Sequence, residues 1–280
     1  MSDKKILTIQ DISCVGQCSL TVALPIISAC GIETCILPSA VLSTHTGGFT
    51  GYTFRDLTDD IPAIAEHWSK ENIKFDAIYT GYLGSTKQID YSIDIMDKLL
   101  SDGGVKIADP AMADNGKLYY GFDDEFVKAM ARLCGKADII LPNITEACFM
   151  VNAEYKQSGY DEGYIIDLLE RLGGLGAKVV VLTGVSYSDD KLGIAIYDTA
   201  AKSVNYYFHE RLNVSSHGTG DVYASAFCGA VTQGRSIYDS AKLAADFTVE
   251  SIKKTMDDPS HWYGVKFEKA LPMLVQELNG

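Results

Sequence analysis

The chain has 280 residues, 47% hydrophobic and 22% charged, an ordinary balance for a globular protein with enough length for a large core. Its formal net charge of −13 argues against nucleic acid or an anionic membrane as a partner, since neither would meet a basic face; a small anion needs only a local site. No run of about 18 apolar residues is present, so no transmembrane helix is expected.

The stretch "KKILTIQ" (4–10) reads as a buried strand with no charged-then-apolar leader ahead of it. "SLTVALPIISACG" (19–31) reads as a helix closed by Gly31, and "ETCILPSAVL" (33–42) as a second strand. "DIPAIAEHWSKEN" (60–72) is a helix with Pro62 in its first turn, where a missing N–H is harmless. "FDAIYTGYLGS" (75–85) is a strand running into a glycine turn, and 89–104 a helix ending at Gly103–Gly104. "VKIADPAM" (105–112) is a strand with its exit loop, 124–137 a helix, and "DIILPNITEACFMV" (138–151) a strand passing into a helix. A helix over 163–177 and a strand over 178–185 follow, then an antiparallel hairpin within 193–210. Helices at roughly 221–233, 236–255 and 266–278 close the chain.

This alternation predicts a single domain, 1–280, of the three-layer α/β/α class, with a mostly parallel sheet covered by helices on both faces. The seven cysteines include no C-x-x-C pair, and they read as reduced thiols of a cytoplasmic protein rather than a metal or disulfide framework. In such a sheet, ligands sit outside the carboxyl ends of the strands. Asp11, Tyr82, Asp109, Asn143, Glu146 and Thr183 all fall at predicted strand exits.

The chemistry concentrates in "HGTGDVYASAF" (217–227). Gly218 and Gly220 permit positive φ and a nest of N–H groups, and a helix beginning near Asp221 adds its positive end. A transferring phosphoryl group would be held there, with Asp221 kept ionised by the N–H field and ready to accept a hydroxyl proton. The alternative is a helix cap after a glycine turn. Asp109, Asn143 and Glu146 suit a Mg²⁺ that keeps waters and takes phosphate oxygens; for "PNITE" the alternative is a capping box. Thr183 and Gly184 either border a nucleotide phosphate or form a plain turn.

Taken in order, "IADPAM", "LPNITEA", "VLTGV" and "HGTGD" resemble the ribokinase-like small-molecule kinases. "LSTHTGGFTGY" (42–52) and "TGYLGS" (80–85) narrow the resemblance to the pyridoxal (pyridoxine, pyridoxamine) kinases, from Ile9 to about Thr255. The resemblance implies ATP-dependent phosphorylation of the 5′-hydroxymethyl group of vitamin B6. It also implies Asp221 as base, Gly218, Thr219 and Gly220 as anion hole, and Asp109 and Glu146 near Mg²⁺, with Asn143 in that cluster. Thr183 matches an ATP-contacting position, Thr46 and Tyr82 line the pyridine site, and His45 stands alongside as substrate contact or loop brace. The adenine pocket would draw backbone and apolar contacts from 207–255. A homodimer and a monovalent cation such as K⁺ are further implications of the family. Tyr119–Tyr120 either cover the phosphates or belong to a surface loop, and Trp68 and Trp262 read as packing residues.

The opening "IQDISCVGQCS" departs from the family pattern, with Asp11 where many members carry serine and one residue fewer before Pro25. Asp11 either faces the substrate ring or caps its loop. The rivals are a hydroxymethylpyrimidine kinase of the same fold, whose glycine-rich opening is missing here, and a non-catalytic B6-binding protein. A sugar kinase is disfavoured because no early β-lid insertion is present.

Overall fold

A computed structural model describes residues 4–212 and 216–279. Residues 213–215, within the stretch expected to supply the adenine pocket, lie outside it. Strand β1 (Lys5–Ser13) leads through helix α1 (Leu20–Ala29) to β2 (Glu33–Leu42) and the short edge strand β3 (Phe54–Asp56). Helix α2 (Ile61–Lys70), β4 (Phe75–Thr80), α3 (Thr86–Leu99) and β5 (Leu100–Ala108) follow. Next come the two-residue strands β6 (Ala113–Asp114) and β7 (Lys117–Leu118), then α4 (Asp124–Cys134), β8 (Ile139–Ile140), α5 (Ile144–Val151) and α6 (Glu162–Gly173). Strands β9 (Val179–Ser188), β10 (Lys191–Asp198) and β11 (Ser203–Glu210) precede α7 (Thr219–Gln233), α8 (Ile237–Lys253) and α9 (Leu271–Asn279).

Nine strands form one sheet in the order β11-β10-β9-β8-β5-β4-β1-β2-β3. The six from β9 to β2 run parallel; β3, β10 and β11 are antiparallel to their inner neighbours. Their buried aliphatic runs, such as Ile6, Leu7 and Ile9 or Val180, Val181 and Leu182, feed two cores, one on each face. Helices α1, α7, α8 and α9 cover one face, and α2 to α6 cover the other. Strand order reverses at β1, which lies between β2 and β4, and the carboxyl ends of strands at such a reversal are where ligands bind in open α/β sheets.

Several expected boundaries move. The helix expected to reach 104 ends at Leu99, because Leu100 already pairs with Phe75 in the sheet. Gly103 and Gly104 are not a helix cap but an irregularity inside β5: Gly103 has φ +76°, and a Cβ on Gly104 would meet the Asp76 carbonyl at 2.9 Å. The last helix, expected from 266, begins at Leu271 after a short 3₁₀ turn at Phe267–Lys269. The β6–β7 hairpin was not expected, although its turn, Asn115–Gly116, has positive φ at both residues as a two-residue hairpin demands. Gly116 N–H donates to Thr145 Oγ1 at 3.1 Å, fastening this hairpin to α5.

Candidate active site

The anion loop differs from its expected form in two respects. Helix α7 starts at Thr219 with Gly218 as its N-cap, so Asp221 lies inside the first turn rather than at the head. Gly218 alone has positive φ (+75°); Gly220 is helical. A Cβ on Gly218 would meet the Gln17 carbonyl oxygen, so this loop packs directly on the 14–19 loop after β1. Among the described residues a Cβ on Gly220 would meet no atom within 4 Å, so their packing does not require glycine there. Thr219 Oγ1 donates to the Ser216 carbonyl at 3.4 Å.

Asp221 Oδ2 accepts the Ser19 N–H at 3.0 Å. That bond and the helix end do not keep the carboxylate in its ordinary range. Burial outweighs the Ser19 N–H, the neighbouring Asp11 charge adds to the effect, and the Asp221 value is pushed up to about 7. The N–H field expected to keep Asp221 ionised is thus opposed by burial and by Asp11.

Two further acids, Asp109 and Asp11, act on Asp221 electrostatically, and Glu146 is linked to Asp109. Asp109 follows β5 and is buried; its N–H bonds to the Thr80 carbonyl at 2.9 Å, tying it to the end of β4. Burial and then Asp221 raise its value. Glu146 is raised by burial and then by Asp109, against backbone N–H groups that favour the charged form. Asp11 is raised by burial, while hydroxyl contacts from Ser19 and Ser13 oppose the shift; Ser13 Oγ donates to its Oδ2 at 3.0 Å. No basic side chain among the described residues forms an ion pair with any of the four. Buried unpaired carboxylates favour either a proton or a cation.

Asn143 and Glu146 do form the capping box. Asn143 Oδ1 accepts the Glu146 N–H at 2.9 Å, and Glu146 Oε2 accepts the Asn143 N–H at 2.9 Å. The remaining groups reach back to the β5 exit: Met112 N–H donates to Glu146 Oε1 at 3.2 Å, and Asn143 Nδ2 to the Ala113 carbonyl at 2.8 Å. Among the described residues no three acidic, histidine or cysteine side chains form a ready-made metal cluster. Asp109 and Glu146 supply carboxylate oxygens, the donor type a hard divalent cation takes, and both Glu146 oxygens also accept backbone N–H groups.

Thr183 bridges in parallel to Asn143, and both its N–H and its hydroxyl reach the Pro142 carbonyl, so the β8 and β9 exits sit side by side. Tyr82 follows Gly81, where a Cβ would stand 2.4 Å from Gln10 Oε1. Its ring lies 5.7 Å from that of Phe122, and burial, then Asp11 and Tyr52, push its phenol to about 12. Thr46 is exposed on the loop after β2. His45 is occupied on both nitrogens. Gly47 N–H donates to Nδ1 at 3.0 Å, which leaves Nε2 as the N–H that donates to the Tyr263 carbonyl at 2.8 Å. Both ring nitrogens are engaged within the protein, as the loop-brace alternative for His45 expects, and burial also lowers its value.

Two participants were missed or half-seen. Ser19 reaches Asp221 from 202 residues away, with no local signal in the sequence. Tyr119 is 41% exposed, yet burial of its phenol, then Glu146, Asp114, Asp109 and Asp221, raise its value, while Tyr120 is fully exposed. The flanking glycines of this stretch were the available signal.

A parallel sheet with a strand-order reversal, a helix N-terminus and unpaired carboxylates at one edge defines a small-molecule kinase of ribokinase-like architecture. The phosphomethylpyrimidine kinase family model matches residues 26–264, and the chain belongs to this family. A Bacteroides thetaiotaomicron protein provisionally named a phosphomethylpyrimidine kinase, in an orthorhombic crystal form with pyridoxal, is 37% identical with a TM-score of 0.91, over 98% of this chain and 96% of that one. Pyridoxal kinase from Lactobacillus plantarum is 30% identical with a TM-score of 0.90, over 98% and 97% of the two chains. The pyridoxine/pyridoxal/pyridoxamine kinase of Bordetella avium (strain 197N) is 22% identical over 260 residues, 89% of this chain and 85% of that protein.

Proposed function

We propose that the protein transfers the γ-phosphoryl group of ATP to the 5′-hydroxymethyl oxygen of pyridoxal, pyridoxamine or pyridoxine, yielding ADP and the 5′-phosphate for pyridoxal phosphate salvage. The observation that carries this reading is Asp221, a carboxylate with a value near 7 on the first turn of α7, directly after the Gly218 turn. A base with that value is deprotonated in part at neutral pH and still basic enough to take a proton. The pyridoxal-containing relative at 37% identity and the pyridoxal kinase at 30% support the acceptor.

In this reading the acceptor hydroxyl loses its proton to Asp221 as its oxygen forms a bond to the γ-phosphorus. The bond from that phosphorus to the β,γ-bridging oxygen breaks, and ADP leaves with the electron pair. The N–H groups of 218–220 hold the phosphoryl oxygens as charge moves across them. Mg²⁺, when bound beside Asp109 and Glu146, neutralises phosphate charge. Asn143 keeps Glu146 in place, and Thr183 borders the nucleotide. Thr46 and Tyr82 wall the pyridine pocket, with Asp11 at its floor.

The test is a panel at fixed Mg²⁺-ATP: three B6 vitamers, hydroxymethylpyrimidine and ribose, read by ADP release. Turnover confined to the vitamers supports the reading. The name of the family model favours hydroxymethylpyrimidine as the second acceptor, and preferential turnover of it would replace the first reading. Pyridoxal binding without ADP release would make the chain a binding protein. Running the panel in potassium against sodium salts reads the K⁺ requirement, and light scattering reads the homodimer that belongs to the same proposal.

A further inference from the structure

Ser19 has φ 54° and ψ −132°, immediately ahead of α1. In this region a Cβ crowds its own backbone, and glycine is the residue that ordinarily occupies it. Asn152, by contrast, has an ordinary left-handed conformation with ψ 50°. The strain at Ser19 is not offset by a helix cap, since its side chain accepts nothing from the first turn of α1.

What the conformation does is orient the backbone in two directions at once. The Ser19 carbonyl accepts Val22 and Ala23 N–H groups at 3.0 and 2.9 Å and so starts α1. Its N–H points the other way, to Asp221 Oδ2 at 3.0 Å on α7. The φ angle sets the relation between these two groups. With α1 fixed in the core, a return of φ to negative values would turn the N–H away from Asp221. The surroundings over-determine the turn. Thr21 Oγ1 lies 2.8 Å from the Cys18 carbonyl and 3.2 Å from that of Gly16, Ser19 bridges to Ile12, and Gly218 packs on the Gln17 carbonyl.

We infer that Ser19 is a positioning residue whose strained backbone aims its N–H at Asp221 and fixes that carboxylate toward the acceptor hydroxyl. This rests on Asp221 being the base.

The experiment measures kcat, KM for ATP and for pyridoxal, and Tm for Ser19→Gly, Ser19→Ala, Ser19→Val, Asp221→Asn and the Ser19→Val/Asp221→Asn double variant. A β-branched side chain is least tolerated at positive φ, so Ser19→Val loses about tenfold or more in kcat, with both KM values within about twofold. Ser19→Gly, the conservative change for this backbone, rescues kcat to within about twofold of wild type without lowering Tm. Ser19→Ala, equally strained but lacking the hydroxyl, follows wild type. In the Asp221→Asn background Ser19→Val costs less than about twofold, because the group it orients is already compromised.

Full activity in Ser19→Val overturns the inference. So does an undiminished loss in the double variant. Should Ser19→Val fail to fold, Ser19→Gly and Ser19→Ala decide: a tenfold loss in both, on the order expected for a lost polar contact, puts the effect in the hydroxyl and overturns it. Asp221→Asn with near wild-type kcat would instead overturn the base assignment itself.

Discussion

A Cβ placed on Gly218 would stand 1.7 Å from the carbonyl oxygen of Gln17, two atoms that the chain separates by most of its length. The same construction on Gly220 meets nothing. The two glycines of the anion loop therefore have different reasons to be glycine. Gly218→Ala combines positive φ with a backbone clash and should abolish activity together with a Tm loss. Gly220→Ala lies in a helical turn, where alanine is favoured by up to about 1 kcal/mol, so Tm should hold or rise. If a phosphoryl group packs against that turn, kcat falls by about tenfold or more despite the retained stability. A Gly220→Ala enzyme with unchanged kcat would remove Gly220 from the anion hole.

Asp221→Asn should lower kcat by roughly a hundredfold or more while ATP binding, read by calorimetry, survives. A small effect on kcat would return Asp221 to the role of a helix-turn acid.

The raised value of Asp221 also has a sign in stability. Its folded value lies above its unfolded one, so its contribution is fully present below the unfolded value and is lost as pH rises through about 7. Ionising it in the free enzyme costs the fold up to roughly 4 kcal/mol at pH 8, with Asp11 nearby as a like charge. Asp221→Asn should therefore raise Tm more at pH 8 than at pH 5. In the active enzyme, kcat/KM should climb with pH along a limb near 7, absent in Asp221→Asn. Equal Tm differences at both pH values would contradict the buried-acid description.

Glu146 bears on structure and chemistry together. Glu146→Gln sets an amide N–H against either the Asn143 or the Met112 N–H, and thermal unfolding should register a loss of about 1–2 kcal/mol. The Mg²⁺ concentration for half-maximal rate should also rise several-fold, about what loss of one carboxylate near the cation implies. A lower Tm with an unchanged Mg²⁺ dependence would leave Glu146 as a capping residue alone.

Asp11 is buried, lies beside Tyr82 and Asp221 electrostatically, and is tied locally by Ser13. A carboxylate there favours a protonated ring nitrogen or amine. Asp11→Ser should change the relative turnover of pyridoxamine, pyridoxal and pyridoxine. Unchanged ratios would assign Asp11 to its loop.

The alternation of buried strands and amphipathic helices was enough for the fold class, because core burial imposes a 2.0 or 3.6 residue period that the chain itself displays. Which residues stand at strand exits followed from the same pattern, and that placed Asp11, Tyr82, Asp109, Asn143, Glu146 and Thr183 along one edge, with Asp221 at the start of a helix. The Asn115–Gly116 hairpin was also legible and went unread. What the linear order does not hold is contact between distant segments. Whether His45 meets a substrate or braces two loops depends on Gly47 and Tyr263 closing on its ring. Whether Asp221 is charged depends on burial and on Asp11, and among the described residues its N–H donor is Ser19. Local sequence sets periodicity and turn chemistry; hydrogen bonding and desolvation at a site are set by everything that surrounds it, and only the packed structure brings those groups together.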